Sequence, residues 1–457
     1  MKFALVGVGG AGGRVVEHLR WLEANTERAF SNGNLLAFDT TKDTFTQYKH
    51  IPLDKHVLVG DTHPDIAGEG LDGDIDLGAA IAREDVDEIH REFDKLALHE
   101  VDAIVMVAGL GGGTGGGVGP VLLENLQSIS DNPIFVVGVL PAESEDDQVA
   151  VNAARSLQSY VRLADNVILF DNDAWYCESE SESEDESLEA AYDSLNDELA
   201  TRIMAVLAAG ELTSTDVAEN RVDSSDLART LETGGVSTIG FAQTTLREPS
   251  TLLDKLRAWL GKRPEDDVPT DALHIKTLIR DATTGRLTLP CEIDSADRGL
   301  IVLSGPPKAI SRKGFESGRY WLEQETETVE VLAGDEPRPK ARRMSAVVLL
   351  TNVTAVPRID ALKERAVAAK RKDEIVFSAT ADGSPNPQRV DTDETGDEPD
   401  ETGDEPDEVS GEDVEPSERD SDGEPAPTDS SSSEEEATDT SEGDSPAPEA
   451  GTESPDD

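Results

Sequence analysis

Three sets of residues in this sequence have types and spacings that can do chemistry. The first is Gly109-Leu110-Gly111-Gly112-Gly113-Thr114-Gly115-Gly116-Gly117, in which seven of nine residues lack a Cβ. Consecutive backbone N–H groups in such a run can turn toward one anion, and a helix N-terminus behind them adds its dipole. That is phosphate chemistry. No lysine follows the glycines as the Walker pattern G-x-x-x-x-G-K-[ST] requires, so backbone and a cation must hold the phosphates, with Thr114 alone offering a hydroxyl. The second set, Gly7-Val8-Gly9-Gly10-Ala11-Gly12-Gly13-Arg14, contains the G-x-G-x-x-G spacing of a dinucleotide fingerprint. Asp39, ending the run LLAFD, stands much as a ribose-binding acid would. The third set is polar: Tyr192 and Asn196 are one helical turn apart and can face one ligand, while Asp223 and Asp226 share one face at a helix start. Plainer readings exist for each: a glycine linker, a core tyrosine, a solvated asparagine, an N-cap followed by an acid that favours the helix dipole.

The elements around these residues decide between the readings. Val101 to Ala108 is an apolar run of the kind that forms a buried parallel strand, and Pro120 to Leu126 reads as a helix start. The glycine loop therefore joins a strand to a helix, a place where linkers are not normally found. Phe3 to Val6 is a strand running into the first glycine loop, followed by an amphipathic helix to about Glu23. Gly68 to Gly78 is a polar glycine-rich loop before a helical stretch, Ala79 to Lys95, and by itself reads equally as an acidic surface loop. Pro133 to Leu140 and Asn166 to Phe170 are further strands; an acidic loop, Pro141 to Gln148, leaves the former and Asp171-Asn172-Asp173-Ala174-Trp175 the latter. From Ser187 to Ala209, Leu188, Tyr192, Leu195, Leu199, Ile203 and Val206 recur at three- and four-residue steps, with Ser187 as N-cap and Gly210 as stop, which predicts one long helix. A strand resumes from Gly234. RLTLPCEI, GLIVLSGPP, VEVLAG and AVVLLT then read as strands, with a helix at about Ile310 to Gln324 and another at Ile359 to Lys372. Strands alternating with helices predict a parallel sheet, and the later strands an α+β second domain.

Composition bounds the function classes. The 457 residues carry a formal charge of −56. Residues 391–457 hold 29 acids and one arginine, −28, so the other −28 is spread over residues 1–390. Beyond about Ser378 the chain cannot bury enough apolar surface to fold. An acidic body of this kind suits a cytoplasm where high salt screens self-repulsion, as in a halophile, and nucleic acid is excluded as a partner because no basic face competes with the field. Cys177 and Cys291 have no metal spacing and no disulfide framework, and no other metal site is apparent. No run is long enough to span a membrane and a strand begins at Phe3, so a cytoplasmic protein without a signal peptide is expected. An acidic insert at 178–187 reads as a solvated loop. TLLDKLRAWLGKR, residues 251–263, is a basic amphipathic island that can lie on a membrane surface, bind an acidic adaptor, or pack on its own protein.

The glycine loop at 109–117 closely resembles the GGGTG[ST]G signature of the tubulin and FtsZ superfamily, with Gly116 in place of the second hydroxyl residue. The first loop is similar to that superfamily's GVGG-x-GG, with Arg14 where Asn is usual, and Asp39-Thr40-Thr41 stands where FtsZ has Asn-Thr-Asp. Within the superfamily the chain looks most like the archaeal CetZ group, through VAGLGGGTGGG, NAARS at 152–156, FDNDAW at 170–175, VDSSD at 222–226, RLTLPCE at 286–292 and SGPPK at 304–308. The resemblance implies a Rossmann-like parallel-sheet GTP-binding domain (1–186), a central helix (187–209), a linker region with a catalytic loop (210–245), an α+β C-terminal domain (246–377) and a disordered acidic tail (378–457). It implies GTP and Mg²⁺ as ligands. Phosphate contacts would come from Gly9, Gly10, Ala11, Gly12, Gly13, Arg14, Gly111, Gly112, Gly113, Thr114, Gly115 and Gly116, with Gly70 in a loop like the one that senses the γ-phosphate and Asp39 beside the first loop. Glu145 would bond the ribose, Tyr192 would stack on guanine, and Asn172 and Asn196 would read its edge, where an amide's donor and acceptor complement N1 and O6. Asp223 and Asp226 would reach the nucleotide of the next subunit in a head-to-tail homopolymer and orient or deprotonate the attacking water; Arg221 replaces the Asn that leads that motif in FtsZ. The group is implicated in cell shape and motility. Alternatives are a GTP-bound scaffold that does not hydrolyse, an FtsZ-type division protein, and an oxidoreductase using the first loop and Asp39.

Overall fold

The structure, a computed structural model, describes residues 1–26, 28–64, 66, 68–176, 188–210, 224–246, 272–326 and 330–381. The acidic insert, Cys177, Asp223, the basic island and the tail from residue 382 lie outside the described residues.

The chain begins with β1 (Phe3–Val8), α1 (Gly9–Asn25), β2 (Leu35–Asp39), α2 (Lys42–Phe45), β3 (His56–Leu58), α3 (Ile75–Glu84) and α4 (Val86–Phe93). It continues with β4 (Ala103–Gly109), α5 (Gly119–Ile129), β5 (Ile134–Leu140), α6 (Asp147–Leu163), β6 (Asn166–Asp171) and the single turn α7 (Asn172–Trp175). The long helix α8 (Leu188–Leu207) and α9 (Ser224–Leu231) precede β7 (Val236–Thr245) and α10 (Ala272–Thr284). Last come β8 (Arg298–Gly305), α11 (Arg312–Glu325), β9 (Glu330–Pro337), β10 (Arg343–Thr351) and α12 (Pro357–Ala381).

These strands form one ten-stranded sheet in the order β3-β2-β1-β4-β5-β6-β7-β10-β8-β9. From β3 to β7 every pairing is parallel; β10 runs antiparallel to both β7 and β8, and β9 is parallel to β8. The parallel strands are apolar at consecutive positions because both faces are covered. Phe3, Leu5, Val105 and Val107 pack with Val15, Leu19, Leu199 and Ile203 of α1 and α8. Ala4, Val6, Ile104 and Met106 pack on the other face with Leu122, Leu126, Ala153 and Leu157 of α5 and α6. The two halves of the chain share the sheet through β7, whose first residues pair with β6 and whose remainder pairs with β10.

Three sequence expectations change. Ala79 to Lys95 is two helices that begin earlier, at Ile75, where the Asp74 side chain accepts from the N–H groups of Asp76 and Leu77. They part at Asp85, whose carboxylate turns away to accept from Gly60 N at 2.6 Å. The glycine loop is shorter than its composition implies, because one wide π-type turn over Thr114–Val118 already leads into α5. RLTLPCEI is not a strand. Its backbone meets β6 and β7 at Thr288, whose N–H donates to Ile239 O (2.9 Å) and whose carbonyl accepts from Asp171 N (2.8 Å), and threonine hydroxyls make further bonds: Ile239 N donates to Thr288 Oγ1 (2.9 Å) and Leu289 N to Thr238 Oγ1 (3.0 Å). Trp175 Nε1 donates to Leu287 O (3.0 Å) and pins the segment against α7. Cys291, half-buried next to Glu292, has its thiol pushed up to about 12 by burial and is an unreactive thiol.

Candidate functional site

The strand order reverses between β1 and β4, and in an open α/β sheet the crevice outside the carboxyl ends of strands at such a point is where ligands bind. A cavity of about 540 Å³ opens there. Its walls are Gly9, Gly10, Ala11 and Arg14 from the start of α1, Gly111, Gly112, Gly113, Thr114 and Gly115 from the loop after β4, Glu145 after β5, Asn172 after β6, and Tyr192 and Asn196 from α8. Thirteen of the residues singled out from sequence, far apart in the chain, thus meet around one space.

The two glycine loops touch. Gly9 has φ +70°, a left-handed conformation that costs glycine little, and a Cβ there would stand 3.1 Å from Gly115 N. At Gly112, by contrast, a Cβ would meet nothing within 4 Å, and at Gly10 only the Thr44 methyl at 4.0 Å. These positions leave bare backbone facing the cavity, the cradle an anion needs. The hydroxyls of Thr40 and Thr114 lie 2.7 Å apart, so the one hydroxyl of the glycine loop is already oriented. Arg14 donates from Nε and a terminal nitrogen to Gln47 Oε1 (3.0 and 2.7 Å), which steadies a guanidinium at the wall. Tyr192 sits beside Glu145, and partial burial together with that acid raises its hydroxyl's pKa.

Other sequence-chosen residues do not line the cavity. Gly12 and Gly13 are packing glycines: a Cβ on Gly12 would fall 2.1 Å from Val107 O, and one on Gly13 would strike the Tyr48 hydroxyl at 1.7 Å. Gly116 faces Leu110 O (2.9 Å) and the Ile75 side chain (3.1 Å), so a hydroxyl residue there would point into the protein rather than at the cavity. Gly70, at φ +105°, stands near Thr41; from its loop Asp72 and Gly73 line the cavity instead. Asp39 is buried at 2% exposure. Its Oδ1 accepts from Thr40 N and Thr41 N (2.7 and 3.3 Å), and Oδ2 makes no hydrogen bond of normal geometry although the Thr44 and Thr114 hydroxyls are near. Burial raises its pKa, opposed by those groups. A buried acid off the cavity wall is not placed to bind ribose, which removes one of the two supports of the oxidoreductase reading and leaves it the first glycine loop. Asp226, half-exposed on the first turn of α9, is also off the cavity, and Asp223 lies outside the described residues.

Sequence reasoning missed the residues that hold the loops in shape. On α6, Asn152, Ser156 and Tyr160 recur every four residues along the buried face. Asn152 Nδ2 donates to Gly73 O (2.7 Å) and Gly111 O (3.1 Å), Ser156 Oγ to Leu110 O (2.7 Å), and the Tyr160 hydroxyl to Gly115 O (2.6 Å). By occupying the loop carbonyls these side chains leave the N–H groups to face outward. The available signal was three polar side chains, at a period of four, on the apolar stripe of an amphipathic helix. Among the described residues no three acids, histidines or cysteines converge to cage a metal ion. A magnesium ion at this site would be held chiefly by phosphate oxygens and water, as that ion commonly is. No described helix is long and apolar enough to cross a membrane.

Comparison with known proteins agrees with this geometry. Residues 2–180 match the tubulin/FtsZ family GTPase domain and residues 185–368 the C-terminal domain of tubulin-like CetZ. The chain is 42% identical to tubulin-like protein CetZ1 of Haloferax volcanii over 381 residues, 81% of this chain and 93% of that one. Against CetZ3 of the same organism the identity is 44% over 373 residues, with 81% and 93% covered. The solved GDP-bound monomer of H. volcanii CetZ1 superposes with a TM-score of 0.69 at 39% identity, covering 81% of this chain and 100% of that chain. The GTPγS-bound protofilament of CetZ2 gives 0.68 at 33%, covering 82% and 100%. With both halves of the fold matched and the cavity built on the glycine loops of that family, the chain belongs to the tubulin-like CetZ proteins.

Proposed function

We propose that this chain binds GTP in the β1/β4 cavity, assembles head to tail into filaments, and hydrolyses GTP on assembly. The observation that carries the reading is the composition of this cavity: bare backbone at Gly10 and Gly112 together with Tyr192, Asn196 and Asn172. Phosphates would lie on the loop amides and the helix N-termini, guanine would stack on Tyr192, and the amides would read its edge. A bound Mg²⁺ would supply charge neutralisation at the phosphates. Asp226 stands off its own chain's cavity, which fits an acid that acts on a neighbour's nucleotide, with Asp223 beside it in sequence. A heterologous contact of that kind builds open polymers. The relatives' structures, a GDP-bound monomer and a GTPγS-bound protofilament, support the same cycle. The acidic body and the H. volcanii relatives fit a halophilic archaeon, where the filament would lie in the cytoplasm and influence cell shape.

The test combines light scattering with phosphate release in molar KCl and Mg²⁺. Scattering should rise with GTP, not with GDP, ATP or NADH, and decay as phosphate appears. Asp223→Ala and Asp226→Ala should assemble but lose hydrolysis by roughly a hundredfold or more, since water positioning and charge stabilisation are lost together. Undiminished phosphate release from Asp223→Ala would sink the shared catalytic site. GTP binding without assembly or turnover would instead favour the scaffold reading, for which Arg221 in the catalytic motif is the best argument.

A further inference from the structure

We propose that Arg358 and Arg365 of α12 are positioning residues for the guanosine half of the cavity, an inference that rests on the nucleotide reading above. In charge, α12 stands against the chain's net charge of −56: from Arg358 to Lys372 it carries six basic and two acidic residues. Arg358, Arg365 and Lys372 recur every seven residues and so form one stripe. That stripe lies along the loop after β5. Arg358 donates to Asp171 Oδ1 (3.0 Å), Glu143 Oε1 (3.2 Å) and Pro141 O (2.6 Å). Arg365 donates to Asp147 Oδ1 (2.9 Å), Glu143 O (3.0 Å) and Glu145 O, and Lys372 adds a bond to Asp147 Oδ2 (3.0 Å).

The groups bound are the walls of the cavity or their immediate neighbours. Pro141 and Glu145 line it directly, and Asp171 precedes Asn172, which also lines it. The two loops are tied to each other as well, since Glu143 N donates to Asp173 Oδ1 at 2.9 Å. A guanidinium is suited to this because its planar fork reaches several acceptors in fixed directions, which a lysine ammonium does not. Asp171 is almost fully buried, and Arg358 offsets the burial that would otherwise favour its neutral form. By comparison, neither arginine touches the glycine loop among the bonds it makes. Base and sugar recognition therefore depend directly on a helix from the far end of the chain, and phosphate recognition only indirectly, through α6, whose first residue Asp147 the stripe also binds.

The separation gives the test a signature that loss of folding would not produce. Affinities for GTP and inorganic triphosphate are measured on the full chain in molar KCl and Mg²⁺, with ATP affinity of the parent and the thermal midpoint of each variant. Arg365→Gln should lose GTP affinity by roughly tenfold and triphosphate affinity by about twofold at most, because the ribose wall is loosened, while the midpoint stays near the parent's. Arg365→Lys should recover only part of the loss. Lys363→Gln, on the same helix but paired with Asp360, should change neither affinity. Arg358→Gln should behave as Arg365→Gln; if it fails to fold because Asp171 is left unpaired, Arg365, which is more exposed, carries the test. Unchanged GTP affinity in Arg365→Gln, or equal losses for GTP and triphosphate, overturns the inference while a GTP-selective parent keeps the nucleotide reading. A parent that does not prefer GTP over ATP overturns both.

Discussion

Glycines of the same signature do different work at the level of single residues. At Gly12 the missing Cβ lets α1 approach the backbone of β4, with Val107 O only 2.1 Å from where that atom would be. Gly12→Ala must therefore push helix from sheet, and we expect it to destabilise the fold by about 3 kcal/mol or more, read as a fall in the denaturation midpoint. Gly112→Ala has open space before it and should leave the midpoint unchanged while weakening nucleotide binding, because the methyl enters the anion cradle. Asp39 makes a different prediction. Its folded-state pKa is raised above the ordinary value of 3.8, mainly by burial. Any stability it confers is present below that ordinary value and is lost as pH rises through the folded one. Asp39→Asn should match the parent at acid pH and exceed it near neutrality, and a pH series of midpoints on both proteins would show whether the curves diverge in that direction.

The elements explain why some of these residues were readable and others were not. Buried parallel strands announce themselves by unbroken apolar runs, so β1, β4, β5 and β6 were plain in the sequence, as was the stripe on α8. The segment after Gly285 alternates like a strand and is not one: its backbone bonds to β6 and β7 centre on Thr288, and the Thr238 and Thr288 hydroxyls make the others. Thr288→Val keeps the shape and removes the acceptor for Ile239 N. We expect a loss of about 1–3 kcal/mol, the usual consequence of a buried unpaired donor, with Thr288→Ser close to the parent in thermal unfolding. Likewise, no local pattern could say that Asn152, Ser156 and Tyr160 grip the glycine loops, since that depends on where α6 lands against the sheet.

For the whole molecule the governing quantity is charge. Residues 1–390 alone carry −28, and removing residues 391–457 takes away the other −28. Self-repulsion of the folded body is screened by salt, so the midpoint of the full chain should rise as KCl goes from low to molar concentration. A chain truncated at 390 should still show that rise, because the −28 carried by residues 1–390 is unchanged by the truncation; a flat profile would remove the argument for a high-salt protein.

What could be known from residue order was everything local: the phosphate chemistry of the glycine runs, the strands that flank them, the helical spacing of Tyr192 and Asn196, and the acidity of body and tail. These follow from side-chain type and period, which need no partner. Which glycines face ligand and which face neighbouring backbone came only with the packed chain, as at Gly112 against Gly12 and Gly116. The exclusion of Asp39 from the cavity, the inclusion of Asp72 and Gly73, and the reach of α12 to the loop at 141–147 are of the same kind. Each is a contact between segments distant in the chain, and its geometry is set by how the layers stack on the sheet rather than by any pattern a single segment carries.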